Sequence, residues 1–287
     1  MAKIDLSIII VSYNTQKLVD KLLASIKAAE KGNYKIEIIL VDNASNDGSV
    51  EMVKKRYSQV NILVNPKNIG FAAANNKGMR NAKGRLVLLL NSDTQIEKDT
   101  LIKMIDFIDK NSRYQAATCR IELVDGRLDP ACHRGFPSPW AAFTYFAKFE
   151  KVLPGSKIFG QYHQGWKDLT KVHQVEVISG AFFLVSRKII EKVGLLDESF
   201  FMYGEDIDWC LRIKKAGFRI GFVPYTKIIH VKGKSGRNKD SEQKEAKMLV
   251  NQHFWGTMKL FYKKHYADQY PKPLMWLIIK MINWKAR

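Results

Sequence analysis

Cysteine is scarce in this chain of 287 residues: Cys119, Cys132 and Cys210 are odd in number and show no CxxC spacing. That argues against a disulfide framework and against a zinc site, and leaves buried, inert thiols as the expectation. Long apolar runs are missing as well. The longest, Leu274 to Ile279, falls far short of the roughly 20 residues that span a bilayer. The N-terminus lacks the basic, apolar and small-residue succession of a signal peptide, so a cytoplasmic location is expected. No GxGxxG, GxxxxGK(S/T) or HExxH occurs, which removes support from dehydrogenase, P-loop and zincin readings. No internal repeat or low-complexity tract interrupts the chain.

Acid is in deficit: 28 Asp and Glu face 47 Lys and Arg, a net charge of +19. Such a surplus calls for an anionic partner. Over half of it lies in residues 226–287, where fourteen basic residues meet four acidic ones, a surplus of ten. This stretch is also aromatic and aliphatic, which suits a membrane surface better than a nucleic-acid groove. No nucleic-acid module is visible, so no nucleic-acid partner is expected.

What is present is a β–α–β alternation. The buried-strand pattern Leu6–Val11 ends in Ser12-Tyr13-Asn14, and Ile36–Val41 ends in Asp42-Asn43. Further strands are expected at Asn61–Val64 and Leu86–Leu90, with helices to about Lys31 and over Gly70–Ala82. The second half predicts a hairpin near Asp125-Gly126 and a strand over Val175–Val185 interrupted by Gly180. It then predicts a helix over Gly204–Ala216, two short strands at Arg219–Val223 and Ile228–Val231, and a basic stretch Lys232–Lys239. The class is α/β, a mostly parallel, Rossmann-like sheet with helices on both faces, and ligands of such sheets bind at the carboxyl ends of the strands.

Tyr13, Asp42 and Asp93 stand at those ends. Asp42 can accept hydrogen bonds from a base or ribose and Tyr13 can pack on a pyrimidine, although Asp42-Asn43 also suits the start of a turn. Asp93 can bind Mg²⁺ or Mn²⁺ bridging two phosphates, or cap a helix over Ile96–Ile108. Glu205 and Asp206 follow the bulky Phe200-Phe201-Met202-Tyr203 run, a setting for a general base. Asp208 with Arg212 reads as a surface i,i+4 pair. His230, among apolar strand residues, is either structural or a metal ligand through a neutral imidazole.

Together these motifs resemble glycosyltransferase family 2, in its rhamnosyltransferase-like branch. The matching stretches are Ser7–Asn14, Val41–Gly48, Asn68–Asn76, Asn91-Ser92-Asp93, Ser179-Gly180-Ala181, Gly204–Asp208 and His230, in the family's order. The resemblance implies the GT-A fold and an inverting transfer of a sugar from a nucleoside diphosphate to an acceptor hydroxyl. It implies a donor site of Val11, Tyr13, Asp42, Asn75, Asn91 and Ser92, with Asp206 as catalytic base beside Glu205, and Asp93 with His230 toward the metal. Asn91 departs from the family's Asp-x-Asp metal motif, leaving a single carboxylate. A deoxythymidine- or uridine-diphosphate sugar, rhamnose among them, is the implied donor, and a lipid-linked saccharide the implied acceptor. Two alternatives stay open: a sugar nucleotidyltransferase, which would want a Gly- and Lys/Arg-rich loop in place of Ser12-Tyr13-Asn14-Thr15, and a catalytically silent binding module.

The domain reading is a glycosyltransferase unit over 1–246 and a basic amphipathic segment over 247–287. In that segment Phe254, Trp255, Met258, Phe261 and Tyr262 share one helical face. Pro271 and Pro273 break the chain before a second amphipathic helix. Both helices are expected either to seat the protein peripherally on an anionic membrane or to pack on the protein itself.

Overall fold

The computed structural model describes residues 4–231 and 240–286, with the side chains of the last stretch from Asn251 onward. The basic Lys232–Lys239 stretch lies outside the described residues. The first half alternates strictly: β1 (Leu6–Ser12), α1 (Gln16–Ala28), β2 (Ile36–Asp42), α2 (Ser49–Arg56), β3 (Asn61–Val64), α3 (Phe71–Asn81) and β4 (Leu86–Leu90). The second half runs β5 (Thr94–Ile96), α4 (Thr100–Lys110), β6 (Ala116–Leu123), a 3-10 turn at Pro130–Cys132, α5 (Pro139–Phe146), α6 (Phe149–Val152), β7 (His173–Val175) and β8 (Phe182–Ser186). It ends with α7 (Arg187–Val193), α8 (Glu205–Lys215), β9 (Ile220–His230), α9 (Asp240–His265) and α10 (Lys272–Lys285).

One sheet has the order β3-β2-β1-β4-β8-β6-β9-β5, with β7 alongside β9. The first four strands are parallel, and β8 turns the direction by pairing antiparallel with β4. Successive strand side chains face opposite sides of a sheet, so the consecutive burial of Leu6 to Ile10 and of Leu86 to Leu90 means that both faces are covered. The three cysteines sit in this interior, unpaired, and burial pushes their thiols up.

Three expectations are corrected. The stretch Val175–Val185 is two strands, β7 on β9 and β8 between β4 and β6, parted by a turn in which Ser179 Oγ accepts from the Ala181 amide. The two strands expected across 219–231 are one: β9 runs unbroken beside β6, with a register shift between Cys119 and Arg120. Pro224, which has no N–H for the ladder, falls within that shift. Helix α4 starts at Thr100 because residues 94–96 pair with β9, so Asp93 is no helix cap.

In the C-terminal segment, the first helix follows the packing alternative left open by the sequence. Helix α9 runs through the expected boundary at residue 246 and packs inward: Met258, Phe261 and Tyr262 are buried in the central core. Helix α10 buries Met275 and Ile282 but leaves Leu274, Trp276, Leu277, Met281 and Trp284 exposed. Among the described residues no helix is long and apolar enough to cross a membrane.

Candidate active site

The register of β1 with β2 sets Ser12 opposite Asp42, so the two strands end side by side. Tyr13, just past β1, is 47% exposed, a free ring at the mouth of the sheet. Asp42 is buried; its Oδ2 accepts from the Ser45 amide at 2.9 Å, while Oδ1 has no hydrogen-bond partner among the described residues. A buried acceptor without a donor is costly, and a bound ligand N–H or O–H would satisfy it. Val11, half-buried, lies opposite Val41 in the same ladder.

Hydroxyls join β1 to the end of β4. Ser12 Oγ meets Thr15 Oγ1 at 3.0 Å, and Thr15 Oγ1 donates to Ser92 Oγ at 3.3 Å. Below Asp42, Asn43 donates to Asn68 Oδ1 and to the Gly70 carbonyl, and accepts from Asn65. Asn75 is buried, and its Nδ2 donates to the Phe71 carbonyl at 2.9 Å within α3.

Gly70 ties this half to the loop that precedes Glu205. Its φ is +87°, and a Cβ there would lie 2.6 Å from the Phe201 carbonyl oxygen. The Phe71 amide donates to that same oxygen at 2.7 Å. Beyond Phe201, Tyr203 and Gly204 adopt positive φ in succession, +69° and +81°, and launch α8 with Glu205 and Asp206 in its first turn.

Asp206 and Glu205 sit differently. Asp206 accepts from Arg134 at 3.0 Å through Oδ2 and from the Ile207 amide at 2.8 Å through Oδ1. Glu205 is buried, and its Oε2 has no partner among the described residues. Burial, followed by repulsion from Asp206, raises the Glu205 carboxyl to about 8. Asp208, expected on the surface, is fully buried and accepts from Arg212 Nε at 2.7 Å, Lys264 Nζ at 2.6 Å and His265 Nε2 at 2.7 Å. Burial alone would raise its pKa; those bonds outweigh burial and hold it well below the usual range.

On the other side, the antiparallel pairing of Thr94 with His230 and the Val231 amide bond to the Asp93 carbonyl bring the two predicted metal residues together. His230 Nε2 lies 3.1 Å from Asp93 Oδ1, and His230 Nδ1 lies 2.8 Å from Asp129 Oδ2. Asp129 and Arg134 were missed in the sequence. Asp129 had a signal, Asp before Pro130: its Oδ1 caps the 3-10 turn through the Ala131 amide. Arg134 had none, standing in an irregular stretch without periodicity.

The donor set suits a hard divalent cation. Asp93 supplies a carboxylate, Asn91 Oδ1 is buried without a partner, and Asp129 orients His230 through its other nitrogen. Among the described residues no three acids, histidines or cysteines form a complete metal cage, so most ligands would come from a diphosphate and water. Burial pulls the His230 imidazole down, but the hydrogen bonds of Asp129 and Asp93 prevail and lift it to about 9. A cation and that proton therefore compete for one place. A cavity of about 470 Å³ lined by Leu123, Val124, Asp125 and His230 opens beside it.

Comparison with known proteins agrees with this geometry. The chain is 25% identical to the N-acetylglucosaminyl-diphospho-decaprenol L-rhamnosyltransferase of Mycobacterium tuberculosis, over 95% of this chain and 89% of that one. It is 28% identical to the low-salt glycan biosynthesis hexosyltransferase Agl10 of Haloferax volcanii, over 79% of this chain and 67% of the relative. The fold is shared with GalNAc-T7, solved with UDP, GalNAc and Mn²⁺, at a TM-score of 0.61 and 18% identity over 91% of this chain; the chain spans half of that longer protein. The architecture is thus GT-A. The sequence model of glycosyl transferase family 2 matches residues 7–194, and a match over more than half the chain, together with these relatives, displaces the nucleotidyltransferase alternative. With its strand-end cleft and the Glu205-Asp206 turn facing it across Gly70, the chain belongs to glycosyl transferase family 2.

Proposed function

We propose that the protein moves one sugar, with inversion at the anomeric carbon, from a uridine- or deoxythymidine-diphosphate sugar to a hydroxyl of a lipid-linked saccharide, with rhamnose the leading donor sugar. The observation that carries the donor side is the unsatisfied Asp42 Oδ1 beside the exposed Tyr13 ring. An acceptor-only carboxylate selects the imide N–H of uracil or thymine, or a ribose hydroxyl, while the ring offers a stacking face. The rhamnosyl and polyprenyl parts rest on the relative named for a decaprenol-linked acceptor.

Asp206 takes the acceptor proton as the hydroxyl oxygen attacks the anomeric carbon; the new C–O bond forms as the bond to the diphosphate breaks on the opposite face. Arg134 fixes Asp206 through one oxygen and leaves lone pairs for that proton. Asp93, with Asn91 and His230 near it, would hold Mg²⁺ or Mn²⁺, which supplies charge compensation to the departing diphosphate. Purified protein should be stabilised against heat by UDP or dTDP, more so with Mn²⁺, and lose transfer in a chelator. NMR of the product should show the anomeric configuration opposite to the donor's. A retained configuration overturns the mechanism, and full turnover in metal-free chelator overturns the metal.

A further inference from the structure

The exposed face of α10 does not stand alone. Trp276 is 64% exposed and Trp284 67%, and Lys280 and Lys285 lie over their rings at 4.8 and 5.0 Å. A second exposed apolar surface is carried by α5 and α6, where Phe143 is 54% exposed and Phe149 43%. The two are joined: the Phe146 ring lies 5.8 Å from Trp255 of α9, Trp255 Nε1 donates to Asn251, and Asn251 donates to the Lys285 carbonyl at 3.2 Å.

Charge identifies the occupant. Helix α10 contains no acid. Residues 139–159 contain one, Glu150, which is buried and accepts from the His163 amide, while Lys148, Lys151 and Lys157 are exposed. Aromatic side chains ringed by lysines without acids fit the interface of an anionic bilayer. A second copy packed on this face by two-fold symmetry would set lysine against lysine.

We infer that α5–α6 and the outer face of α10 form one docking face for an anionic lipid bilayer. Contacts link the face to the site: the Tyr145 ring of α5 lies tilted against Tyr162 at 5.2 Å, and the Tyr162 carbonyl accepts from Gly135, next to Arg134, the partner of Asp206. The catalytic carboxylate then stands where a membrane-borne acceptor presents its sugar. That last step rests on the lipid-linked acceptor proposed above; the docking itself does not.

The test uses the full-length protein and vesicles of phosphatidylcholine with or without phosphatidylglycerol, with no donor or acceptor present, so its failure leaves the transfer reading standing. Wild type should co-sediment with the anionic vesicles alone and release as salt rises. The pairs Trp276→Glu with Trp284→Glu, and Phe143→Glu with Phe149→Glu, should each lower partitioning by about tenfold or more, while UDP-induced thermal stabilisation is unchanged. Should a Glu variant fail to fold, wild type decides: brominated lipid should quench its tryptophan fluorescence, and Trp276→Phe with Trp284→Phe should keep binding but lose most quenching. Absence of wild-type binding to anionic vesicles overturns the inference. So does full binding by the Phe143/Phe149 variant, or a wild-type dimer without vesicle binding that the Glu variants convert to monomer.

Discussion

Asp206 and Glu205 are adjacent carboxylic acids whose surroundings divide their work. Asp206 accepts from Arg134 through one oxygen and from an amide through the other; for Glu205, burial and then repulsion from Asp206 outweigh its own backbone amide and the more distant Arg134 charge, and a pKa raised to about 8 keeps it protonated near neutrality. Asp206→Asn keeps the shape and removes the proton acceptor, so turnover should fall by a factor on the order of 10²–10⁴ in a transfer assay, with donor affinity little changed by calorimetry. For Glu205 the folded protein holds a proton that the unfolded chain has released above the ordinary glutamate pKa. Stability should therefore decline from about pH 4.5 to about 8 and level off above. Glu205→Gln should flatten that decline in thermal melts, gaining most at the alkaline end.

Among the elements, α8 depends most on its neighbours. Asp208 on its buried face receives Lys264 and His265 of α9 as well as its own Arg212. Removing that charge takes the carboxylate from Arg212 and His265 and leaves Lys264 with Asp197 alone, so Asp208→Asn should destabilise the fold by about 1–3 kcal/mol in denaturant unfolding. Gly70→Ala should loosen the same region from the other side, since an added Cβ meets the Phe201 carbonyl and φ is left-handed. We expect a loss of roughly 1–3 kcal/mol, with turnover falling more than donor affinity because the displaced segment carries Asp206.

The contrast between these elements shows what was legible in the sequence. Strand β4 emerged residue for residue, because a strand covered on both faces reads as an unbroken apolar run, and the edge strand β3 emerged from its short Ile62-Leu63-Val64 run. Asp206 and His230 stood out as polar groups at the ends of apolar segments. The burial of Asp208 was not legible: its partners Lys264 and His265 lie over fifty residues downstream, and an i,i+4 pair with Arg212 looks the same on a surface as in a core. The apolar stripe of α9 was legible as a stripe, but periodicity does not say what covers it.

At the scale of the molecule, the sheet is assembled out of chain order. Strands β1, β2, β3 and β4 pair as soon as they exist, but β9 arrives after residue 220 and inserts between β6 and β5. It also delivers His230 to Asp93 and Asp129. Until the ribosome has released that strand, β6 presents an open edge ending an otherwise finished sheet, and edges of this kind recruit other chains. A nascent or prematurely terminated product of residues 1–219 should therefore behave not as a smaller nucleotide-binding protein but as a client for chaperones, insoluble when expressed alone and recognisable by dye binding to its unpaired apolar surface. For this fold, the latest-made of the described strands both brings His230 to Asp93 and Asp129 and seals the sheet against its own synthesis intermediates.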